Sequence, residues 1–225
     1  MANSPILVTI AIIGGTGKEG KGLAYRWARA GYRVLIGSRS EDRAKATALE
    51  LLDRLNGQAF IEGTNNTRAA QSANVVVVAV PYSAHRETLV SLKEVLREKL
   101  LVDVTVPLVP PNITKVHLPA AGSAAQEARE ILGNDALITS AFQNISYEHL
   151  LNDEKIECDV LVTGTSKDTR AETLKLVDAA GLTGWDAGPL ENSIITEGMT
   201  SVLIHINKLY GSKQAGIKIT GVGKE

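Results

Sequence analysis

Gly15-Thr16-Gly17-Lys18-Glu19-Gly20 reads G-x-G-x-x-G, and Gly14 precedes it. Glycines at this spacing suit one chemistry, which is to hold a dinucleotide pyrophosphate against backbone N–H groups at the start of a helix. The first permits a tight turn, the second lets the main chain approach the phosphates, and the third lets helix and strand pack closely. Further on the chain runs Gly37-Ser38-Arg39, with Arg43 after it. An NAD site places a carboxylate at that point to accept the ribose hydroxyls, but here a hydroxyl and guanidiniums stand instead. Arg39 presents a planar fork to a 2′-phosphate, Ser38 adds a hydroxyl donor, and Arg43 adds charge from the next helix. The set selects NADP(H) over NAD(H). For Arg43 a second reading stays open, a solvated helix residue paired with Glu41 or Asp42.

Other reactive side chains are sparse. His85, His117, His149 and His205 lack a metal-ligand spacing and read as surface or packing residues, so no metal is expected. No Tyr is followed by Lys four positions later, which removes the acid pair of short-chain dehydrogenases. Cys158, inside an apolar run, reads as a small buried hydrophobe. Glu197 and His205, eight residues apart on one expected helix, are candidates for a polar stripe bordering a crevice, with a plain packing role as the alternative. Gln143 and Asn144 follow a strand end, where orienting amides are useful.

These residues need rigid elements to hold them. Leu7 to Ile13 is short, β-branched and closed by glycine, as a strand buried on both faces reads, and Lys18 to Ala30 continues at helical spacing with Gly31 as its stop. Tyr32 to Gly37 and Glu41 to Leu55 repeat strand and helix, with Ser40 as the helix N-cap. Val75 to Val80, Leu100 to Val106 and Ala136 to Ala141 are further strands, and Ala84 to Arg97 and Gly122 to Leu132 further helices. Strands alternating with crossover helices predict an α/β fold, a Rossmann-type doubly wound parallel sheet. The proline-rich connection from Pro107 to Pro119 is expected as an ordered loop over the carboxyl edge of that sheet, where ligands bind. After Ala141 the pattern changes to a strand (Cys158 to Thr163), a helix (Lys167 to Ala180) and a long apolar helix (Asn192 to Leu209), predicting a smaller C-terminal α/β lobe with a crevice between the two.

Composition sets the outer bounds. The chain has 225 residues, 24 Lys and Arg against 25 Asp and Glu, a net charge of −1 and one Cys. That balance gives no field for nucleic acid or an anionic membrane surface. The apolar runs are too short to cross a bilayer, Met1 to Pro5 lacks the features of a secretory signal, and a lone cysteine fits a reducing cytoplasm.

Several segments carry a family resemblance. Gly14-Gly15-Thr16-Gly17, Gly37-Ser38-Arg39, Val80-Pro81, Gly122-Ser123-Ala124-Ala125-Gln126-Glu127, Asp186-Ala187-Gly188-Pro189-Leu190 with Asn192, and Gly216-Ile217-Lys218-Ile219 together resemble the NADPH-dependent reductases of the deazaflavin coenzyme F420. The resemblance runs nearly end to end. It implies an oxidoreductase that passes a hydride between NADP(H) and coenzyme F420, with a dinucleotide domain over residues 1–141, a substrate and dimerisation lobe over 142–225, and a homodimer. It also implies site residues: Gly15, Thr16, Gly17, Lys18 and Glu19 at the pyrophosphate, Ser38, Arg39 and Arg43 at the 2′-phosphate, and Val80, Ala84 and Val106 along the path to the nicotinamide. On the acceptor side stand Gln143, where archaeal members carry His, Asn144, and Tyr147, where a small residue is usual. Two other readings are retained, a reductase of another small acceptor (a flavin, a metal chelate or an imine) and an NADP-binding redox sensor without turnover. The apolar set Ile194, Ile195, Met199, Val202, Leu203, Ile204, Ile206 and Leu209 exceeds what one stripe needs, and some of it is expected to meet a second chain.

Overall fold

The structure, a computed structural model, describes residues 8–152 and 155–223. Leu7, the expected start of the first strand, and the Met1 to Pro5 segment lie outside the described residues. Strand β1 (Thr9–Ile13) is buried along its whole length. Ile10 and Ile12 enter one apolar core while Ala11 and Ile13 enter the other, so this strand carries a core on each face of the sheet. It pairs in parallel with β2 (Arg33–Ser38) and β4 (Val75–Val78), placing it at the sheet centre.

The complete sheet has eight strands in the order β3-β2-β1-β4-β5-β6-β7-β8, where β3 is Phe60–Asn65, β5 Leu100–Asp103, β6 Ile138–Ser140, β7 Asp159–Gly164 and β8 Thr183–Pro189. The first six follow the doubly wound order of dinucleotide-binding sheets, with the switch point between β1 and β4. Helices α1 (Lys18–Arg29), α2 (Glu41–Arg54), α3 (Asn66–Gln71), α4 (Tyr82–Leu92) and α5 (Ala124–Leu132) cross between them; α6 (Tyr147–Leu150), α7 (Lys167–Ala179) and α8 (Ser193–Tyr210) follow. Ser40 caps α2 as expected, its Oγ accepting from Arg43 N.

Three elements go beyond the sequence expectation. β3 is a half-exposed edge strand, α3 spans only six residues, and β8 contains two glycines and a proline, so none shows a strong periodic signal. The helix expected to reach Arg97 ends at Leu92, and the chain turns through Glu98, whose φ is +60°. The segment after Ala141 adds β7 and β8 to the same sheet, with β7 antiparallel to β6. Arg26 of α1 ties it down, donating to the carbonyls of His149, Leu150, Asn152 and Ala180, and Trp27 Nε1 donates to Leu176 O at 2.8 Å.

Candidate active site

The turn leaving β1 is built for glycine. Gly14 has φ +81°, and a Cβ there would stand 2.5 Å from Ala79 O. A Cβ on Gly20 would stand 2.9 Å from Gly15 Cα, so only glycine lets α1 settle on the turn. Gly17 is the N-cap of α1 and no side chain caps it, which leaves the first-turn N–H groups available to an anion.

Two cavities open at this edge. The smaller, about 240 Å³, is walled by Thr16, Gly17, Ser38, Arg39, Arg43 and Ala84, joined by Ser40, Asn66 and Thr88. Ser38 Oγ accepts from Ser40 N at 3.2 Å and keeps its proton for an incoming acceptor. Of the two alternative partners read for Arg43, Glu41 pairs instead with Lys45 at 2.9 Å, and Asp42 forms no ion pair with Arg43 among the described residues. Neither Arg39 nor Arg43 has an ion pair among the described residues, and both stay open to a phosphate. Asn66 Oδ1, buried without a partner on this wall, suits a ribose hydroxyl. The site therefore fits a 2′-phosphorylated adenosine.

The larger cavity, about 840 Å³, is walled by Gly17, Lys18, Glu19, Val80, Val106, Gln143, Asn144 and Tyr147, with Thr105, Phe142, Thr200 and Leu203 among the further residues. Leu108, Pro110 and Ile113 of the proline-rich loop close one side. Gly17 and Ala79-Val80-Pro81 line both cavities and form the ridge where they meet. Gly15 lines neither; it supports the turn beneath. Sequence reasoning missed Asn66, from the unanticipated β3–α3 corner, and Thr200 of α8, and passed over Thr88, one turn after Ala84 on α4, and Thr105, next to Val106.

Charge at the mouth is unusual. Glu19 keeps part of its surface in solvent, but its Oε1 is buried without a partner, and burial pushes the carboxyl up to about 8. Lys18 Nζ donates to Tyr147 Oη, which raises the ammonium's pKa.

A second polar cluster lies behind the wall. His85 Nε2 and Asp103 Oδ2 are 2.7 Å apart, both side chains fully buried, and Asp103 Oδ1 accepts from Thr105 N. Burial works against a charged imidazole, but the charge and hydrogen bond of Asp103 outweigh it and raise the His85 pKa. Glu197 reaches the start of α5, accepting from Ala124 N at 2.7 Å and Ala125 N at 3.1 Å. Burial, then the neighbouring Asp103, push it up to about 8. Burial and a hydrogen bond to Glu127 push the Tyr82 phenol up to about 12. The polar stripe suggested for Glu197 and His205 does not form: Glu197 is buried and His205 exposed, because eight residues rotate a helix about 80° past whole turns. Neither lines a cavity.

Residues 9–107 match the family described as NADP oxidoreductase, coenzyme F420-dependent. The F420-dependent NADP reductase of Methanothermobacter thermautotrophicus is 37% identical over 98% of this chain and 98% of its own length. The chain belongs to this family. A second F420-dependent NADP reductase, from Methanocaldococcus jannaschii, is 36% identical over 95% of this chain and 98% of its own length. Among solved structures, a putative F420-dependent NADP reductase from Arthrobacter sp. FB24 superposes with a TM-score of 0.78 at 22% identity, covering 94% of this chain and 98% of that one. The pyrroline carboxylate reductase of Plasmodium falciparum, solved with NADP bound, gives a TM-score of 0.60 at 13% identity over 90% of this chain and 66% of its own. These two likenesses concern the fold.

Proposed function

We propose that the protein transfers a hydride between NADP(H) and the deazaflavin coenzyme F420. The observation that carries this reading is the pair of cavities meeting at Gly17 and Val80, one bordered by free guanidiniums and the other large enough for two stacked ring systems. The adenosine end occupies the smaller cavity, with Ser38, Arg39 and Arg43 on its 2′-phosphate. The pyrophosphate crosses the ridge against Gly15-Thr16-Gly17-Lys18, and the nicotinamide enters the larger cavity past Val80 and Val106. Gln143, Asn144 and Tyr147 face the acceptor. Hydride transfer between two such rings asks the protein for stacking geometry and exclusion of water, while the rings carry the redox chemistry.

Residues 1–141 supply the dinucleotide half of this arrangement and 142–225 the acceptor wall. A homodimer completes it. Along α8, Ile195, Val202, Ile206, Leu209 and Tyr210 are exposed on spacings of three, four and seven, which is an apolar stripe that a symmetric copy can cover. Leu203, expected in the same set, is buried against the monomer instead. The near-zero net charge argues against nucleic acid, and no helix among the described residues is long and apolar enough to cross a membrane. The lone thiol, Cys158, suits the cytoplasm.

Mixing the protein with NADPH and oxidised F420 should bleach the deazaflavin's visible absorbance at enzyme-dependent rate. NADPH binding without such turnover, or turnover on FMN in preference to F420, defeats the reading.

A further inference from the structure

Two side-chain amides on the wall of the larger cavity have their nitrogens committed. Gln143 Nε2 donates to Asp103 O and to Ser140 Oγ, both at 2.8 Å, and Asn144 Nδ2 donates to Thr196 O at 3.1 Å. Main-chain carbonyls only accept, so turning either amide over would set oxygen against oxygen. The network thus fixes which end of each amide is left over. Gln143 Oε1 and Asn144 Oδ1 are both buried without a partner, and both residues line the cavity. Thr105 Oγ1, on the same wall, is also unpartnered. Buried polar atoms of this kind are normally satisfied, and here acceptors are concentrated around one cavity.

A ligand edge that brings N–H groups to these oxygens removes their desolvation penalty, whereas an edge that brings lone pairs adds repulsion. Reduction of a 5-deazaflavin changes such an edge. In NADPH + deazaflavin + H⁺ → NADP⁺ + dihydrodeazaflavin, the hydride goes to C5 and the solvent proton to N1, so N1 turns from acceptor to donor while N3–H is present in both forms. We propose that Gln143 and Asn144 read this difference and make the cavity bind the reduced deazaflavin more tightly than the oxidised one. The inference rests on the hydride-transfer reading above. The nicotinamide carboxamide also offers N–H groups, but it offers the same ones in NADP⁺ and NADPH and cannot create a preference between deazaflavin oxidation states.

Anaerobic titration of the full-length protein with oxidised and with reduced F420, in the absence of NADP(H), tests it. One donor matched against one repulsion should give a reduced form about tenfold tighter. That ratio raises the potential of the bound couple by about 30 mV. Gln143→Met, of similar volume but without the amide, should bring the ratio toward one chiefly by weakening the reduced form; Asn144→Leu gives an independent check if the first variant folds poorly. Equal affinities in the wild type overturn the inference and leave the function intact. Failure to bind either form defeats the function instead. A wild-type preference unchanged in both variants also overturns it, because the difference would then not come from these amides.

Discussion

Lys18 Nζ donates a 3.0 Å hydrogen bond to Tyr147 Oη across 129 positions of sequence, and the same ammonium stands 4.6 Å from the ring centroid. The bond joins the first residue of α1 to the first residue of α6 over the mouth of the larger cavity, so the cation we propose for the pyrophosphate is held toward the proposed acceptor side. Tyr147→Ala should release it. Because the pair is solvent-exposed, melting temperature should hardly move, NADPH should bind up to about fivefold more tightly, and its affinity should fall more steeply with salt. Weaker NADPH binding in a fluorescence titration would show that the bond instead preorganises the loop.

Among the described residues Arg39 and Arg43 have no competing ion pair, which leaves their guanidiniums open to the 2′-phosphate we propose there. Arg39→Ala should weaken NADPH by about 10- to 150-fold and NADH far less, since only the former has a phosphate there to lose. Equal losses for both nucleotides would remove the 2′-phosphate assignment.

Glu19 holds its proton at neutral pH because burial pushes its carboxyl up to about 8. Above that pH a carboxylate appears beside the turn we propose for the pyrophosphate. NADPH, whose phosphates are already fully ionised there, should therefore bind progressively less well from pH 7 to 9. Glu19→Gln should flatten the profile, and a wild-type affinity constant across this range is the contrary result.

Stability should fall as pH rises. Glu197 is raised to about 8 in the fold and His85 is raised as well, so the folded chain retains protons that the unfolded chain has released. For Glu197 the contribution is complete below its ordinary value of 4.5 and is lost as pH passes through the folded value. Melting temperature should drop between pH 5.5 and 8.5, at about 2–4 °C per kcal/mol for a chain of this size. Glu197→Gln should reduce the slope while its one amide oxygen keeps one of the two α5 contacts; a melting temperature that climbs over this interval would reverse the sign.

The exposed stripe of α8 is the surface we propose for a second copy. Val202→Glu with Ile206→Glu places charges where the second copy should sit, at positions that are 43% and 37% exposed in the monomer and so tolerate them. Light scattering should give a doubled mass for the wild type and a single-chain mass for the variant. A wild-type mass of one chain at micromolar concentration rules the dimer out.

Local chemistry made much of this legible before the fold was known. The glycine turn, Ser38-Arg39 and the strands β1, β2 and β4 each carry their signal within a few residues, as continuous β-branched runs or fixed spacings. Their partners do not. Asn66 sits after an edge strand whose Glu62, Gly63 and Thr64 dilute any alternation, so the corner that delivers it is silent. His85 and Asp103 are 18 residues apart on different elements, and Glu197 meets α5 across 73 positions, contacts that only the folded topology creates. Gln143 and Asn144 were visible as amides after a strand, but which of their ends is spare depends on the carbonyls of Asp103 and Thr196.

The unbroken sheet also limits how the site can work as a machine. Because β7 and β8 hang on the same ladder as β1, and Arg26 bolts α1 to four carbonyls of the C-terminal segment, the two halves cannot swing apart as jaws without tearing strand pairing and stranding a buried guanidinium. Traffic of ligands must instead pass through the irregular rim formed by the proline-rich loop on one side and Ser212, Lys213 and Ala215 on the other. In so stationary a frame the doorway is the part left to adjust, and substitutions that stiffen the rim should slow product departure while leaving the hydride step untouched.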